Sequence, residues 1–431
     1  MKYPPIDKRL FIKNRKDFIN KMKPNSVAIF LSNDIMPTNA DGTMPFVQNT
    51  NLLYLSGIDQ EDSILIIAPD FDDEKYKEIL FMKETNKLIS IWEGNKLTKQ
   101  ECTDLSGIKT VYWNNKFDNI LEKILSKSSN IYLEKNEHPR SANRVETNQE
   151  KFFKYCSKKY KNHKFLKSYP ILSDQRMIKN QIEIDLISKA CKITEKGFKR
   201  ILNFIKPDVW EYEIEAEYIH EFIKNKSKGF AYEPIIAGGI NACCLHYNTN
   251  NSICKNNEMI LMDVAAEFAN YKSDMTRTIP INGKFSSRQL KIYNAVLNVK
   301  NEATKILRPG ISINQFHIEV QKIMESELIN IGLLNKNEVQ KQDKKNPLSL
   351  EYFMHGTSHH LGLDVHDVGN FDCEIEVGNV FTVEPGIYIK EESLGIRLED
   401  NILIGEKENI NLMNDIPILP EEIEELMNQK R

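Results

Sequence analysis

The chain has 431 residues, 41% hydrophobic and 28% charged, the mixture of an ordinary globular protein with room for two cores. Its 58 basic and 61 acidic side chains leave a net charge of only -3, so the basic footprint needed to neutralise many phosphates is missing and no nucleic-acid partner is expected. No run approaches the roughly 20 apolar residues of a membrane span, and the start, MKYPPIDKRLFIKNRKDF, lacks the apolar core of a signal peptide, so a cytoplasmic location without a membrane partner is the expectation.

The first part alternates strand-like with helix-like runs. SVAIFLS (26–32), SILIIAPD (63–70), EILFMKE (78–84), TVYWN (110–114) and NIYLE (130–134) predict strands, with a helix around 116–128, and together they make an α/β domain. Between about 139 and 165 the chain turns polar and rich in Lys and Asn, and a boundary falls near 172–178, dividing residues 1–174 from 175–431. Leu186, Ala190, Ile193, Gly197 and Ile201 then recur at spacings of three and four, and a second amphipathic stretch covers 211–225. A β-rich region at 258–282 leads into another helix pair, 287–306 and 313–330, and then into further strands. Two helices plus a β segment thus occur twice, which predicts an α+β second domain with a curved antiparallel sheet covered by helices. The Lys/Asn-rich stretch VQKQDKKNPLS (339–349) reads as a solvated loop.

Chemistry concentrates in the second half. HGTSHHLGLDVHD, from His355 to Asp367, packs four of the chain's nine histidines into twelve positions, where a lone core histidine would be unremarked. Upstream, LMDVAAEFANYKSDMTRT carries Asp263 and Asp274 on either side of a plausible hairpin turn, so both can project to one face. Like charges held that close resist joint ionisation unless a cation intervenes; solvated turn or strand-edge residues are the alternative. Downstream, FTVEPGIYI places Glu384 before Pro385-Gly386, which ends or bends its strand. In RLEDNILI, alternation sets Arg397, Glu399 and Asn401 on one face and Leu398, Asp400 and Ile402 on the other, so Glu399 either joins a site or makes a plain pair with Arg397.

One imidazole with four carboxylates suits Mn(II), Co(II) or Zn(II) better than thiolate-preferring ions. Four carboxylates exceed the needs of one ion, and two cations sharing a water would use that charge and produce hydroxide near neutral pH, which points to hydrolysis. The histidines left over would carry protons or donate to a substrate carbonyl, and His246 in GGINACCLHYN is a further candidate. Seven scattered cysteines without a C-x-x-C pair fit reduced thiols. Cys243 and Cys244, near His246, read as small, partly buried residues, with ligands or a nucleophile as the alternative.

FMHGTSHHLGLDVHDVG, ILMDVAAEFANYKSDMTRTIPINGKF, FTVEPGIYI and GIRLEDNILI resemble the signature blocks of the Xaa-Pro aminopeptidase (aminopeptidase P) family, dinuclear metallopeptidases of the pita-bread fold. The resemblance continues through AYEPIIAGGINACCLHY and into the first domain at MPFVQNTNLLYLSG and IWEGNKL. It implies Asp263 as a ligand of one metal, His359 and Glu384 as ligands of the other, and Asp274 and Glu399 as bridges, with Mn(II) the usual ion. The implied catalytic set is Glu384, which takes a proton from the bridging water, His366 at the developing oxyanion, and His246, His355 and Arg397. His246, His355 and Tyr388 would line the substrate site.

The implied reaction releases any N-terminal residue followed by proline, by attack of a hydroxide bridging two divalent metals. The resemblance further implies a dimer or tetramer, with Trp92 near a neighbouring subunit's cleft. His360 departs from the pattern where Trp or Phe is expected, Val47 where Arg is common, and the interval from Tyr388 to Arg397 is short. Two alternatives share the fold: a prolidase restricted to Xaa-Pro dipeptides, and a non-catalytic peptide-binding protein.

Overall fold

The apolar runs of the first half assemble into a six-stranded sheet inside a unit spanning Pro4–Arg176. The computed structural model describes residues 3–138, 140–141, 144–343 and 345–429. Strands β1 (Ser26–Leu31), β2 (Ile64–Ile67), β3 (Glu78–Met82), β4 (Thr110–Trp113), β5 (Asn130–Leu133) and β6 (Lys164–Lys167) are ordered β4-β3-β2-β1-β5-β6. The edge strands β4 and β6 pair parallel with β3 and β5, so both edges are reached through crossover helices rather than tight turns. Val27, Ile29, Ile66, Ile79, Phe81 and Ile131 form one core with Leu121, Ile124 and Leu125 of the helix Phe117–Leu125.

Two elements of this unit lie in the stretch that reads only as polar. Helix Asn148–Lys159 starts on a Thr147–Glu150 capping box and buries Cys156, while β6, sequence KFLK, forms the sheet edge with its end lysines in water. Lysine on an edge strand guards against pairing with another chain, and it also removes the apolar signal that marks a strand.

The second unit comprises Met177–Arg431 with Met1–Tyr3. Helix α1 (Gln181–Phe204) begins on an Asn180–Glu183 capping box and buries the stripe from Leu186 to Ile201. Gly197 within it lets α2 (Glu211–Lys224) approach, because a Cβ there would meet the Phe222 ring at 2.6 Å. Strands β7 (Ile235–Gly238), β8 (Met259–Asp263) and β11 (Thr276–Pro280) form an antiparallel sheet with β8 central. Between β8 and β11 the chain folds a small hairpin, β9 (Glu267–Phe268) and β10 (Tyr271–Lys272), whose turn residues Ala269 and Asn270 have φ of 54° and 69°. Helices α3 (Ser287–Ile306) and α4 (Ile313–Asn330) follow. The remaining strands are β12 (Val380–Val383), β13 (Gly386–Ile389), β14 (Leu394–Arg397), β15 (Asp400–Leu403) and β16 (Ile410–Asn411), with β15 between β12 and β16 and β13 paired to β14. The unit is thus the α+β domain that the repeated helix-and-strand pattern predicts. No described helix is long and apolar enough to cross a membrane.

Candidate metal centre

Each candidate ligand projects from a strand end or a break in the sheets. Asp263 closes β8 and pairs with Ile235 on one side and Thr276 on the other, so its carboxylate leaves the sheet from a central strand. Asp274 stands two residues before Thr276, and strand periodicity keeps it on the same face although it is not directly opposite Asp263. The Asn401 side chain replaces a strand partner for it, accepting from the Asp274 N–H at 3.1 Å and donating to the Asp274 carbonyl at 2.7 Å. The Glu384 N–H, just past β12, donates to the Thr357 carbonyl at 2.8 Å. His359 is tied to Thr382 of β12 in both directions, and the Glu399 N–H, in the short break between β14 and β15, donates to the Thr276 carbonyl at 3.0 Å.

These ties bring the groups together. Asp274, His359 and Glu399 each offer a ligand atom within 4.8 Å of the others, and all three are buried. His359 Nε2 lies 3.3 Å from Asp274 and 3.7 Å from Glu384. Asp263 completes the ring from the Arg397 side, accepting from that guanidinium at 2.7 Å and from the Tyr232 hydroxyl. Arg397 spreads its fork over three acceptors: the Asp263 carboxylate, the Tyr388 hydroxyl at 2.9 Å and the Thr276 hydroxyl at 3.1 Å. Thr276 in turn donates to Glu399 at 2.7 Å.

The electrostatics favour a cation. Burial pushes the Glu384 carboxyl up to about 7, with Asp274 adding to it and His359 opposing. Burial likewise raises Asp263, against the pull of Arg397, and raises Glu399 well above the carboxylate range, with Asp274, Glu384 and Asp263 adding like charge. The Glu399 Oε1 atom is buried without a hydrogen-bond partner among the described residues. His359 Nδ1 faces the His360 carbonyl at 2.9 Å, and donating to it leaves the Nε2 lone pair toward the carboxylates, the tautomer a metal ligand needs. An orphaned carboxylate oxygen, crowded acids and an imidazole presenting its lone pair fit divalent cations.

The remaining candidates surround this ring. The exposed His366 ring stands edge-on to His359, with centroids 4.3 Å apart at 90°. His355 is half-buried, its Nε2 meeting the Tyr388 hydroxyl at 2.8 Å and its Nδ1 the Gly356 carbonyl at 2.8 Å. Burial lowers its pKa to about 3, with the Arg397 charge contributing. His246 sits exposed on the loop after β7, near enough to His355 to add to that depression. His360 replaces an aromatic by acting as one: it is buried, 4.4 Å from the Phe381 ring and 6.1 Å from the Phe371 ring, with neither nitrogen partnered among the described residues. Val47 and Trp92 are exposed residues of the first unit, Cys243 is half-buried, and Cys244 is exposed.

Sequence reasoning missed three supporting residues, Thr276, Asn401 and Tyr232. The first two were findable, since each lies two positions after a candidate ligand and so shares its face. Tyr232 lies outside any such pattern.

A model of metallopeptidase family M24 matches residues 185–406. The chain belongs to that family. A model of the aminopeptidase P N-terminal domain matches residues 11–132. The Xaa-Pro aminopeptidase of Haemophilus influenzae is 34% identical over 98% of each chain, and that of Escherichia coli 31% identical, again over 98% of each. The structure of E. coli aminopeptidase P with the inhibitor Pro-Leu superposes with a TM-score of 0.87 at 30% identity, covering 99% of this chain and all of the other. The M24 unit therefore has the pita-bread fold of these enzymes, a fold of metallopeptidases, and its acidic ring is suited to divalent metal.

Proposed function

We propose that the chain is a metal-dependent Xaa-Pro aminopeptidase that hydrolyses the bond between an N-terminal residue and a following proline. The observation that carries this reading is the buried cluster of Asp274, His359 and Glu399, with Glu384 3.7 Å from His359 and Asp263 held at its edge by Arg397, in a chain similar along its whole length to enzymes of that activity. Asp263, Asp274, His359, Glu384 and Glu399 would hold two divalent ions, Mn(II) in preference to Co(II) or Zn(II). Bound there, the ions polarise the scissile carbonyl and lower the pKa of water.

The chain's own residues supply the rest. Glu384 would accept a proton from the attacking water and return it toward the leaving nitrogen. His366, exposed beside His359, donates a hydrogen bond to the substrate carbonyl oxygen as charge develops. Arg397 fixes Asp263 and Tyr388, and His355, held neutral, leans on Tyr388. A bond to proline offers no amide N–H, so selection must read the ring, and His246, His355 and Tyr388 form the wall that does so. The aminopeptidase P type N-terminal domain, residues 1–174, precedes a catalytic domain of residues 175–431, and we place the enzyme in the cytoplasm as a dimer or tetramer.

The test is hydrolysis by chelated and Mn(II)-reloaded protein of Xaa-Pro-Xaa tripeptides against Xaa-Pro dipeptides. Tripeptide cleavage restored by metal is expected. Strict dipeptide cleavage would make the chain a prolidase, and binding of fewer than two ions without turnover would make it a peptide-binding protein. His366→Ala should lower kcat by ~10², the scale of a lost oxyanion donor.

A further inference from the structure

One fully buried carboxylate outside the metal centre has four donors and, among the described residues, no cation paired with it. Glu211, the first residue of α2, accepts at Oε1 from the Gly238 N–H at 2.8 Å and the Asn241 side chain at 3.2 Å, and at Oε2 from the Tyr247 hydroxyl at 2.8 Å and the Ser252 N–H at 2.9 Å. Gly238 and Asn241 belong to the arm of chain leaving β7, Tyr247 to its tip, and Ser252 to the returning arm. Each oxygen therefore serves one side of the loop, and the carboxylate closes it like a clasp. Its place in the first turn of a helix stabilises the negative charge and spares it a counter-ion.

His246 sits on the tip of this loop, next to Tyr247. The outgoing arm is seated on β14, where a Cβ at Gly395 would come within 2.5 Å of the Ala242 carbonyl. The returning arm is joined to the start of α2, the Glu211 N–H donating to the Ser252 carbonyl at 3.0 Å. Between these two feet the exposed tip is held by the Tyr247 hydroxyl, which meets Glu211 at 2.8 Å and Ser252 and Asn251 at 3.3 Å, and by Leu245 and Tyr247 packing on the cluster of Ile235, Ala237, Ala242 and Leu261.

We propose that Glu211 is a positioning residue for substrate selection, acting through His246 by clamping both arms of the 238–252 loop. The role of His246 rests on the aminopeptidase reading of the site; the clamp itself does not. Glutamine is nearly isosteric, yet its NH2 would face an obligate backbone donor in either orientation, the Gly238 N–H on one arm or the Ser252 N–H on the other, so Glu211→Gln should release one arm.

The experiment is a double-mutant cycle on Mn(II)-loaded full-length protein with a proline-second tripeptide, alongside hydrogen exchange. Glu211→Gln should lower kcat/KM about tenfold, the scale of losing charged hydrogen bonds, and Tyr247→Phe, which removes the hydroxyl's bond to Glu211 and its longer ones to Asn251 and Ser252, about threefold. In a His246→Ala background both effects should shrink below about twofold, because residues acting through one another are not additive. Amide exchange at Gly238 and Ser252 should quicken in Glu211→Gln with metal content unchanged. Equal losses with and without His246 would overturn the proposal, and so would exchange that stays unaltered. Should Glu211→Gln fail to fold, the Tyr247→Phe cycle decides by the same criterion. Absence of proline-second cleavage by the unaltered protein would defeat the aminopeptidase reading instead, leaving exchange to judge the clamp.

Discussion

Glu399 and Asp400 are chain neighbours, equally acidic and each about 1% exposed, yet they occupy opposite electrostatic worlds. Glu399 accepts from the Thr276 hydroxyl beside His359 and a crowd of acids, and its carboxyl is raised far above its ordinary value by burial and by Asp274, Glu384 and Asp263. Burial would raise Asp400 as well, but Arg277 at 2.6 Å and Lys300 outweigh it and hold the carboxyl well below the usual range, with Asn411 donating a further bond at 2.8 Å. Strand alternation alone separates the two. The comparison teaches that depth does not fix the charge of a buried acid; the group across from it does. One side of β15 is a finished ion cluster, and the other is left for an ion to finish.

The two sides should break differently. Glu399→Gln or Asp274→Asn should abolish turnover, with kcat down at least ~10³-fold as for loss of an essential catalytic group. Circular dichroism should stay native, and the metal-free Glu399→Gln protein should melt at or above the metal-free parent, because a crowding charge is gone. Near-normal turnover would contradict the roles given to these residues. Asp400→Asn should do the reverse, costing about 3–5 kcal/mol in denaturant unfolding by leaving Arg277 and Lys300 uncompensated. An Asp400→Asn protein as stable as the parent would remove the contrast.

The pH response sharpens it. For metal-free protein, Glu384 is raised to about 7 from an ordinary 4.5, so its contribution to stability is complete below about 4.5 and is lost as pH rises through about 7. Asp400 is lowered, so its contribution is present above the ordinary carboxylate value of 3.8 and is lost as pH falls below it. Metal-free protein should therefore melt lower at pH 8 than at pH 5.5, and saturating Mn(II) should flatten or invert that slope. An identical slope with and without metal would count against a cation among these acids. The smallest effect belongs to His360→Phe, which removes two buried nitrogens, unpartnered among the described residues, from an aromatic slot and should stabilise by about 1 kcal/mol with little change in activity.

Much of this was legible in the chain. The helices of the M24 unit announced themselves by apolar spacing, the 287–306 and 313–330 pair to the residue, because each buries one clear stripe. The ligands were legible because carboxylates inside β-rich apolar runs have no cheap structural explanation. What stayed hidden was whatever carries its signal in three dimensions. β6 looked polar because edge strands hold lysine, and Thr276 and Asn401 looked ordinary because a hydroxyl or amide gains meaning only from its partner, the Glu399 carboxylate for one and the Asp274 main chain for the other. Glu211 was hidden for the same reason: in sequence it is one acid among several at the start of an amphipathic helix.

The link from β8 to β11 has a consequence for how this chain can drift. Asp274, Thr276 and Thr278 share a face only because each is an even step from the next, and Ala269 and Asn270 at the inner turn are fixed in place, the first buried and the second donating its N–H to Glu267 at 2.8 Å. A single residue inserted between Asp274 and Thr278 would turn the side chains on one side of it to the opposite face unless a bulge absorbed it. Length changes of two residues, or of one taken up as a bulge, are the ones this strand can bear with its face intact.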